Sequence, residues 1–305
     1  MPHAPLYIGL DAGGTKTAVL AAADGEPRRF DGPSAQLLRD GVDATAATLA
    51  ALVDEARRAF DGAPLGGVAV GLAGAGRADA QEAVAEALRQ RLGEGAPITV
   101  THDADVAFHA AWGDGSGALL LVGTGSLAYA RTEAGDALRV GGWGAALGDD
   151  GGGTALGRGA LRAVLAALDG GPPTALLDRA AEDYGLATAD SVVRAVYEEG
   201  RPLAAFAPLL LAAAADGDWE AEAALARETN ALAQQVGWLA TRAGGDVRQR
   251  LAYAGGLASE AVYRASLEAA LGRHLPGWTV ARSEAEPVEG ALALARQLAA
   301  PASAG

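Results

Sequence analysis

The chain of 305 residues contains no cysteine and a single methionine, and aromatic residues make up only 5% of it. Without cysteine there are no disulfides, no thiolate zinc sites and no cysteine-ligated iron–sulfur clusters, so the functions that depend on them are excluded together. Positive charge is also scarce. With 38 acidic against 24 basic residues the formal net charge is −14, which opposes binding along a phosphate backbone and argues against nucleic acid as a partner. Any phosphate is then expected on backbone amides and a metal. A window of about 18 strongly apolar residues is absent too, which argues against a membrane span. The opening stretch, Met1 to Pro5, lacks the charged run of a signal peptide, so the default expectation is cytoplasmic. What remains abundant is Ala, Leu, Val and 43 glycines; half the residues are hydrophobic, enough for two domains of ordinary size.

The apolar pattern alternates between periods. Leu6, Ile8 and Leu10 alternate, a glycine turn follows at Asp11-Ala12-Gly13-Gly14-Thr15, and Thr17, Val19 and Ala21 resume a strand, which predicts a hairpin. Over 44–60 the positions Leu49, Leu52, Val53, Ala56 and Phe60 share one helical face. A strand follows at Val68, Val70 and Leu72, a helix over 79–92, and a strand over 97–100 that ends at Thr101-His102-Asp103. Strands alternating with helices predict an α/β sheet. The pattern then restarts: a buried run at Leu119-Leu120-Leu121-Val122, a turn at Gly123-Thr124-Gly125-Ser126 and a strand over 127–131 mirror the first hairpin and suggest internal duplication. Residues 155–245 read as a helical insertion. A strand ending at Leu251-Ala252-Tyr253-Ala254-Gly255-Gly256, a helix, a short strand at Thr279-Val280 and a closing helix from Pro287 complete the chain.

Several of these junctions carry chemistry. In Asp11-Ala12-Gly13-Gly14-Thr15-Lys16-Thr17 an acid stands at a strand end beside glycines whose amides can approach a phosphate; Asp11 could hold a hydrated Mg²⁺, while Lys16 either adds charge or points to solvent. The bland alternative is a glycine hairpin with a solvated Asp. Gly123-Thr124-Gly125-Ser126 could clasp the other side of a triphosphate. Gly255-Gly256 is either a bare surface for an adenosine or a tight strand-to-helix turn. Asp103 ends a strand where open α/β sheets place their ligands, as a general base or a helix N-cap; Asp105 reads more readily as a cap. Gly141-Gly142-Trp143-Gly144 with Gly148-Asp149 joins an aromatic ring to a carboxylate, suiting either a sugar or a hydrophobic anchor.

In this order the segments resemble the N-acetylglucosamine kinase-like and BadF/BcrA-type ATPases of the sugar kinase, actin and heat-shock ATPase superfamily, over most of the chain. The resemblance rests on Gly9-Leu10-Asp11-Ala12-Gly13-Gly14-Thr15-Lys16-Thr17, Gly71-Leu72-Ala73-Gly74, Asp103, Gly123 to Ser126, Gly141 to Gly144 with Gly148-Asp149, Gly255-Gly256, and a Pro-x-x-Gly-Ala helix at Pro287, Gly290 and Ala291. It implies an α/β chain of two ribonuclease H-like domains with an interdomain cleft. The first would be 1–110, completed by a helix over 287–300, and the second 111–286, with the insertion at 155–245. It further implies ATP and Mg²⁺ as cofactors, a small sugar as substrate, a homodimer, and phosphoryl transfer to the 6-hydroxyl of an amino sugar with Asp103 as base. Nucleotide contacts would fall on Asp11, Gly13, Gly14, Thr15, Lys16, Thr17, Gly123, Thr124, Gly125, Ser126, Gly255 and Gly256, with Asp11 at the metal. Sugar contacts would fall on Asp103, Thr124, Gly142, Trp143, Asp149 and Gln36, the last where the family often has Asn. N-acetylmuramic acid, another sugar, or a non-catalytic ATP-driven sensor are the alternatives. The lack of cysteine excludes the dehydratase activators that share this fold, because their subunits bridge an iron–sulfur cluster, and the zinc loop of the glucokinase-like repressor/kinase family.

Overall fold

The computed structural model describes residues 4–93 and 95–299. Positions 1–3 of the opening segment and position 300 of the expected closing helix lie outside the described residues. The chain divides into two compact units: one runs to Asp114 and resumes at Glu284, and the other is Gly115–Ser283.

The first unit contains β1 (Leu6–Ala12), β2 (Lys16–Ala22), β3 (Arg28–Pro33), α1 (Leu37–Ala59), β4 (Leu65–Leu72), α2 (Ala78–Leu92), β5 (Ile98–His102) and α3 (Asp103–Trp112). The second contains β6 (Gly117–Val122), β7 (Ser126–Arg131), β8 (Ala137–Gly141), α4 (Gly153–Leu168), α5 (Leu176–Tyr184), α6 (Ala189–Tyr197), α7 (Ala207–Ala215), α8 (Trp219–Ala243), β9 (Arg250–Ala254), α9 (Ala261–His274) and β10 (Thr279–Arg282), with single 3-10 turns at Leu203–Phe206 and Gly256–Ser259. The closing helix α10 (Pro287–Gln297) returns to the first unit.

The two sheets have one topology. The orders β3-β2-β1-β4-β5 and β8-β7-β6-β9-β10 are equivalent strand for strand. In each, the first three strands pair antiparallel and the last two add in parallel, the mixed sheet of a ribonuclease H-like domain. The duplication suggested by two short hairpins therefore extends through ten strands.

In the first unit the strict alternation of β1 separates two unlike faces. Leu6, Ile8, Leu10 and Ala12 are fully buried with Val68, Val70 and Leu72 of β4, beneath Leu49 and Val53 of α1 and Val84 and Leu88 of α2. Each large side chain removed from water there contributes about 1.5–3 kcal/mol. The opposite face carries glycine, because helix backbones lie directly on it. A Cβ at Gly9 would stand 2.1 Å from the Leu292 amide nitrogen of α10, and one at Gly290 would stand 2.0 Å from the Val106 carbonyl of α3. The Gly-Ala pair of the closing helix is thus a packing surface, flattened on both sides.

The helix predicted from residue 44 begins earlier, at Leu37, but Gly41 (φ 74°, ψ 173°) separates one initial turn from the long helical run. Helical periodicity starts only beyond that break. β3 and β8 were not legible from periodicity. Both are edge strands, and most of their residues are at least partly exposed, so no alternation of buried and open positions marks them.

Candidate functional site

Parallel strands β1, β4 and β5 end together. Asp11 pairs with Gly71 and Leu72 with His102 in register, so Asp11 and the β5–α3 junction share one edge of the first sheet. Asp11 is mostly buried, and its carboxyl is pushed up to about 6, chiefly by loss of hydration and then by the negative charges of Asp103 and Glu286; Lys16 and Arg29 oppose the shift more weakly. Three carboxylates therefore repel one another here. Asp103 is the first residue of α3 rather than its cap; His102 takes the cap position, and its Nδ1 accepts from the Ala104 amide at 3.1 Å. The same amide donates to Asp103 Oδ1 at 2.8 Å, and His102 Nδ1 lies 2.7 Å from that oxygen. Asp105 accepts from the Thr101 hydroxyl, the local role expected of a residue in a first helical turn.

The glycine turn between β1 and β2 is closed by the Gly13 amide donating to the Lys16 carbonyl at 3.0 Å. The segment after β3 folds against it: the Ser34 hydroxyl donates to the Gly14 carbonyl at 3.0 Å, and the Gln36 side-chain amide occupies the space a Cβ on Gly14 would need. Gln36 and Gly14 are thus neighbours. Two neighbouring side chains of this turn are engaged within the protein. Thr17 is fully buried and its hydroxyl donates to the Pro33 carbonyl at 2.8 Å, so its side chain ties the hairpin to β3 instead of facing a ligand. Lys16 is exposed and its ammonium lies 3.7 Å from Asp31, the solvent-facing one of its two alternatives.

In the second unit, the turn between β6 and β7 is braced from behind. The Gly153 and Thr154 amides at the start of α4 donate to the Gly123 and Thr124 carbonyls at 2.8 and 2.9 Å. Asp149, held at φ 64°, packs its buried carboxylate against Gly125, leaving no room for a Cβ there. The Ser126 hydroxyl, expected at a phosphate, is buried and donates to the Asp150 carbonyl at 2.7 Å, the same structural use that Thr17 serves in the first unit. Tyr263 of α9 donates to the Gly151 carbonyl at 2.8 Å. Gly255, at φ 116°, lies so close to the Val122 carbonyl that a Cβ would sit 2.2 Å away; only glycine lets the end of β9 meet the end of β6.

These turns open onto a cavity of about 490 Å³. Gly123, Thr124, Gly153 and Gly256 form its polar side. Its apolar side is built by Ala204, Ala207, Pro208, Leu211 and Leu257, with Glu260 as the one charged residue of the lining. Two glycine turns distant in the sequence thus line one space, and the wall from the helical insertion was not among the expected contacts. The signal available was the proline at the first turn of a nearly all-apolar helix, α7. Glu286 was missed as well; it caps α10 just before Pro287 and accepts from Arg29 at 2.5 Å.

Gly142 and Trp143 lie apart from the cavity lining. Trp143 is 67% exposed. Arg139 of β8 lies over its ring, 5.2 Å from the centroid, and donates from Nε to the Gly141 carbonyl at 3.2 Å and from Nη2 to that of Gly142. Among the described residues no three acidic or histidine side chains are grouped to ligate one metal, so a cation at Asp11 would take its other ligands from water and phosphate. No helix of the described residues is long and apolar enough to cross a membrane.

Comparison with known proteins places the chain in a family. The N-acetyl-D-glucosamine kinase of Dictyostelium discoideum is 26% identical over 95% of this chain and 97% of its own. An N-acetylmuramic acid/N-acetylglucosamine kinase of Clostridium acetobutylicum is 30% identical over 44% of each chain. A solved structure from Chromobacterium violaceum, described as a candidate N-acetylglucosamine kinase, is 27% identical and superposes with a TM-score of 0.69, covering 95% of this chain and 99% of its own. The BadF/BadG/BcrA/BcrD ATPase family model matches residues 8–295, nearly the whole succession of turns and strands described above, and the chain belongs to that family.

Proposed function

We propose that this chain is an ATP-dependent sugar kinase that phosphorylates the 6-hydroxyl of an amino sugar, N-acetylglucosamine or glucosamine. The observation that carries the reading is the cavity of the second unit, where two glycine turns form a side-chain-poor polar side opposite an apolar wall. That combination suits a nucleotide, whose phosphates seek amides and whose base seeks apolar contact. The names of the similar proteins from Dictyostelium and Chromobacterium support the sugar.

In this reading Gly123, Thr124 and Gly125 bind phosphates through backbone groups, and Gly255-Gly256 lies beneath the adenosine. Gly13, Gly14 and Thr15 supply further amides. Asp103 accepts the proton of the 6-hydroxyl as the O6–phosphorus bond forms and the bond to ADP breaks, a step in which positioning outweighs basicity. Trp143 stacks on the sugar ring, while Gln36 and Asp149 hydrogen-bond its substituents. Asp11 would hold a hydrated Mg²⁺. Its raised pKa is the observation that fits one, because a cation relieves the repulsion of a poorly hydrated carboxylate beside two others; when bound, Mg²⁺ neutralises phosphate charge. The test is sugar-dependent ADP release with Mg-ATP against N-acetylglucosamine, glucosamine, N-acetylmuramic acid, N-acetylmannosamine and glucose. Strong turnover on one amino sugar with phosphate found at O6 is expected. Stimulation by none of them would overturn the reading and leave a nucleotide-driven sensor.

A further inference from the structure

We infer that Glu260 reads the ribose of the nucleotide, so that the cavity of the second unit selects ribonucleotides over deoxyribonucleotides. The inference rests on the nucleotide reading of that cavity and goes beyond it. Apart from the Thr124 hydroxyl, the Glu260 carboxylate is the only side-chain polar group among the described residues that line the space, since the other contributors are Gly, Ala, Pro and Leu. A base held by such a wall is recognised by shape and apolar area, with almost nothing to read its edge. Glu260 is exposed, and although its backbone is fully used, accepting from the Arg264 amide at 2.9 Å and donating to Leu257 at 3.0 Å, its side chain makes none of the hydrogen bonds or ion pairs found among the described residues. Arg264, one helical turn on, is not paired with it; that guanidinium donates to the Ala258 and Ser259 carbonyls at 3.1 and 2.8 Å.

A carboxylate is an acceptor only, so what it faces must donate. Phosphates cannot, and like charge keeps them away from it. In a nucleotide the ribose stands between base and phosphates. Glu260 stands four residues beyond Gly256, so the strand-to-helix connection that brings a glycine turn to the cavity brings the carboxylate too. A vicinal diol offers two O–H donors to one carboxylate, and each charge-assisted hydrogen bond of this kind is stronger than a neutral one. Removing a donor from the ligand forfeits that charge-assisted bond, which is how a site built to accept from a hydroxyl discriminates against an analogue that lacks it.

The experiment is calorimetric binding of ATP, 2′-deoxy-ATP and 3′-deoxy-ATP, with Mg²⁺ and without sugar, to the full chain and to Glu260→Ala and Glu260→Gln. Wild type should bind ATP about tenfold or more tightly than either deoxy analogue, and Glu260→Ala should bring the three within about twofold. Gln, which keeps one carbonyl acceptor, should fall between. Equal affinities in wild type, or an unchanged ratio in Glu260→Ala, would overturn the inference while leaving the nucleotide site standing. If neither ATP nor its analogues bound, the nucleotide reading itself would fall and this one with it.

Discussion

The two units share a strand order but spend it on opposite chemistry. In the first, the end of the sheet gathers carboxylates, Asp11, Asp103 and Glu286, around a turn whose glycines lie open. In the second, the equivalent turn is buttressed from behind by α4 and Asp149 and faces an apolar cavity. The connection between the third and fourth strands of each sheet explains much of this. In the first unit it is the single helix α1; in the second it runs through α4 to α8, and its middle supplies the cavity wall at Ala204, Ala207, Pro208 and Leu211. Duplicated topology keeps a ligand-bearing edge in the same place, and the inserted loops decide what that edge binds.

On the proposed function the reacting acid belongs to the first unit and the cavity for the nucleotide to the second, and the most severe way to break that contrast is Asp103→Asn. Turnover should fall about 10²–10⁴-fold, while calorimetric binding of ATP, none of whose proposed contacts is Asp103, stays within about twofold. The substitution is nearly isosteric, and the Ala104 amide can still donate to the remaining side-chain oxygen. Unchanged turnover would remove Asp103 from catalysis. Loss of ATP affinity would show that the division of labour is wrong.

Glycine in the two first strands and turns sharpens the contrast next. Gly9→Ala must move the α10 backbone, whose Leu292 nitrogen stands 2.1 Å from the added carbon, and should cost at least about 1–3 kcal/mol in thermal or denaturant unfolding. Gly123→Ala meets nothing within 4 Å and should leave stability within about 0.5 kcal/mol, while weakening ATP binding because the methyl enters the cavity. Equal losses of stability in both variants would show that the second turn is as tightly packed as the first sheet.

Asp11 offers a third contrast, between stability and function. Its native pKa, about 6, lies well above the ordinary aspartate value, so the folded state binds this proton more tightly than the unfolded chain does. Favourable linkage is therefore full below about pH 4 and is lost as pH rises through about 6, leaving the ionised group as a burden at neutral pH. Asp11→Asn should stabilise the protein at pH 7.5 by an amount on the order of 2 kcal/mol, with the gain vanishing near pH 4, yet raise the Mg²⁺ needed for turnover. A gain independent of pH would mean that ionisation is not what the buried site resists. Normal Mg²⁺ dependence in that variant would take Asp11 out of the metal site.

How far this was legible in the sequence follows from what each signal depends on. The hairpins, the buried strands and the long helices announce themselves by period, because Leu6-Ile8-Leu10 or Val84-Leu88 must face a core. The glycine turns were legible because few residues other than Gly tolerate the backbone of Gly255 or the approach at Gly125. Edge strands β3 and β8 were not, since partly exposed edges impose no alternation. Nor were the roles of Thr17 and Ser126: a hydroxyl beside a glycine turn looks the same in sequence whether it faces a phosphate or a neighbouring carbonyl, and only the fold shows that both are buried. Glu286, 275 residues from Asp11 in the chain, becomes its neighbour only when α10 closes onto the first sheet.

The smallest expected effect lies at Arg139, in the second unit but away from its cavity. Its guanidinium lies over Trp143, and Nε and Nη2 hold the Gly141 and Gly142 carbonyls, so it is a positioning residue for an exposed ring. Lysine keeps the charge but has neither the fork nor the planar face. Arg139→Lys should therefore raise the sugar KM about fivefold, roughly 1 kcal/mol, with kcat and ATP affinity nearly unchanged. Arg139→Ala should raise it further. A fall in kcat instead, or an equal loss for sugar and ATP, would mean that β8 supports the fold of the second unit as a whole and that Trp143 gains nothing particular from being held in place.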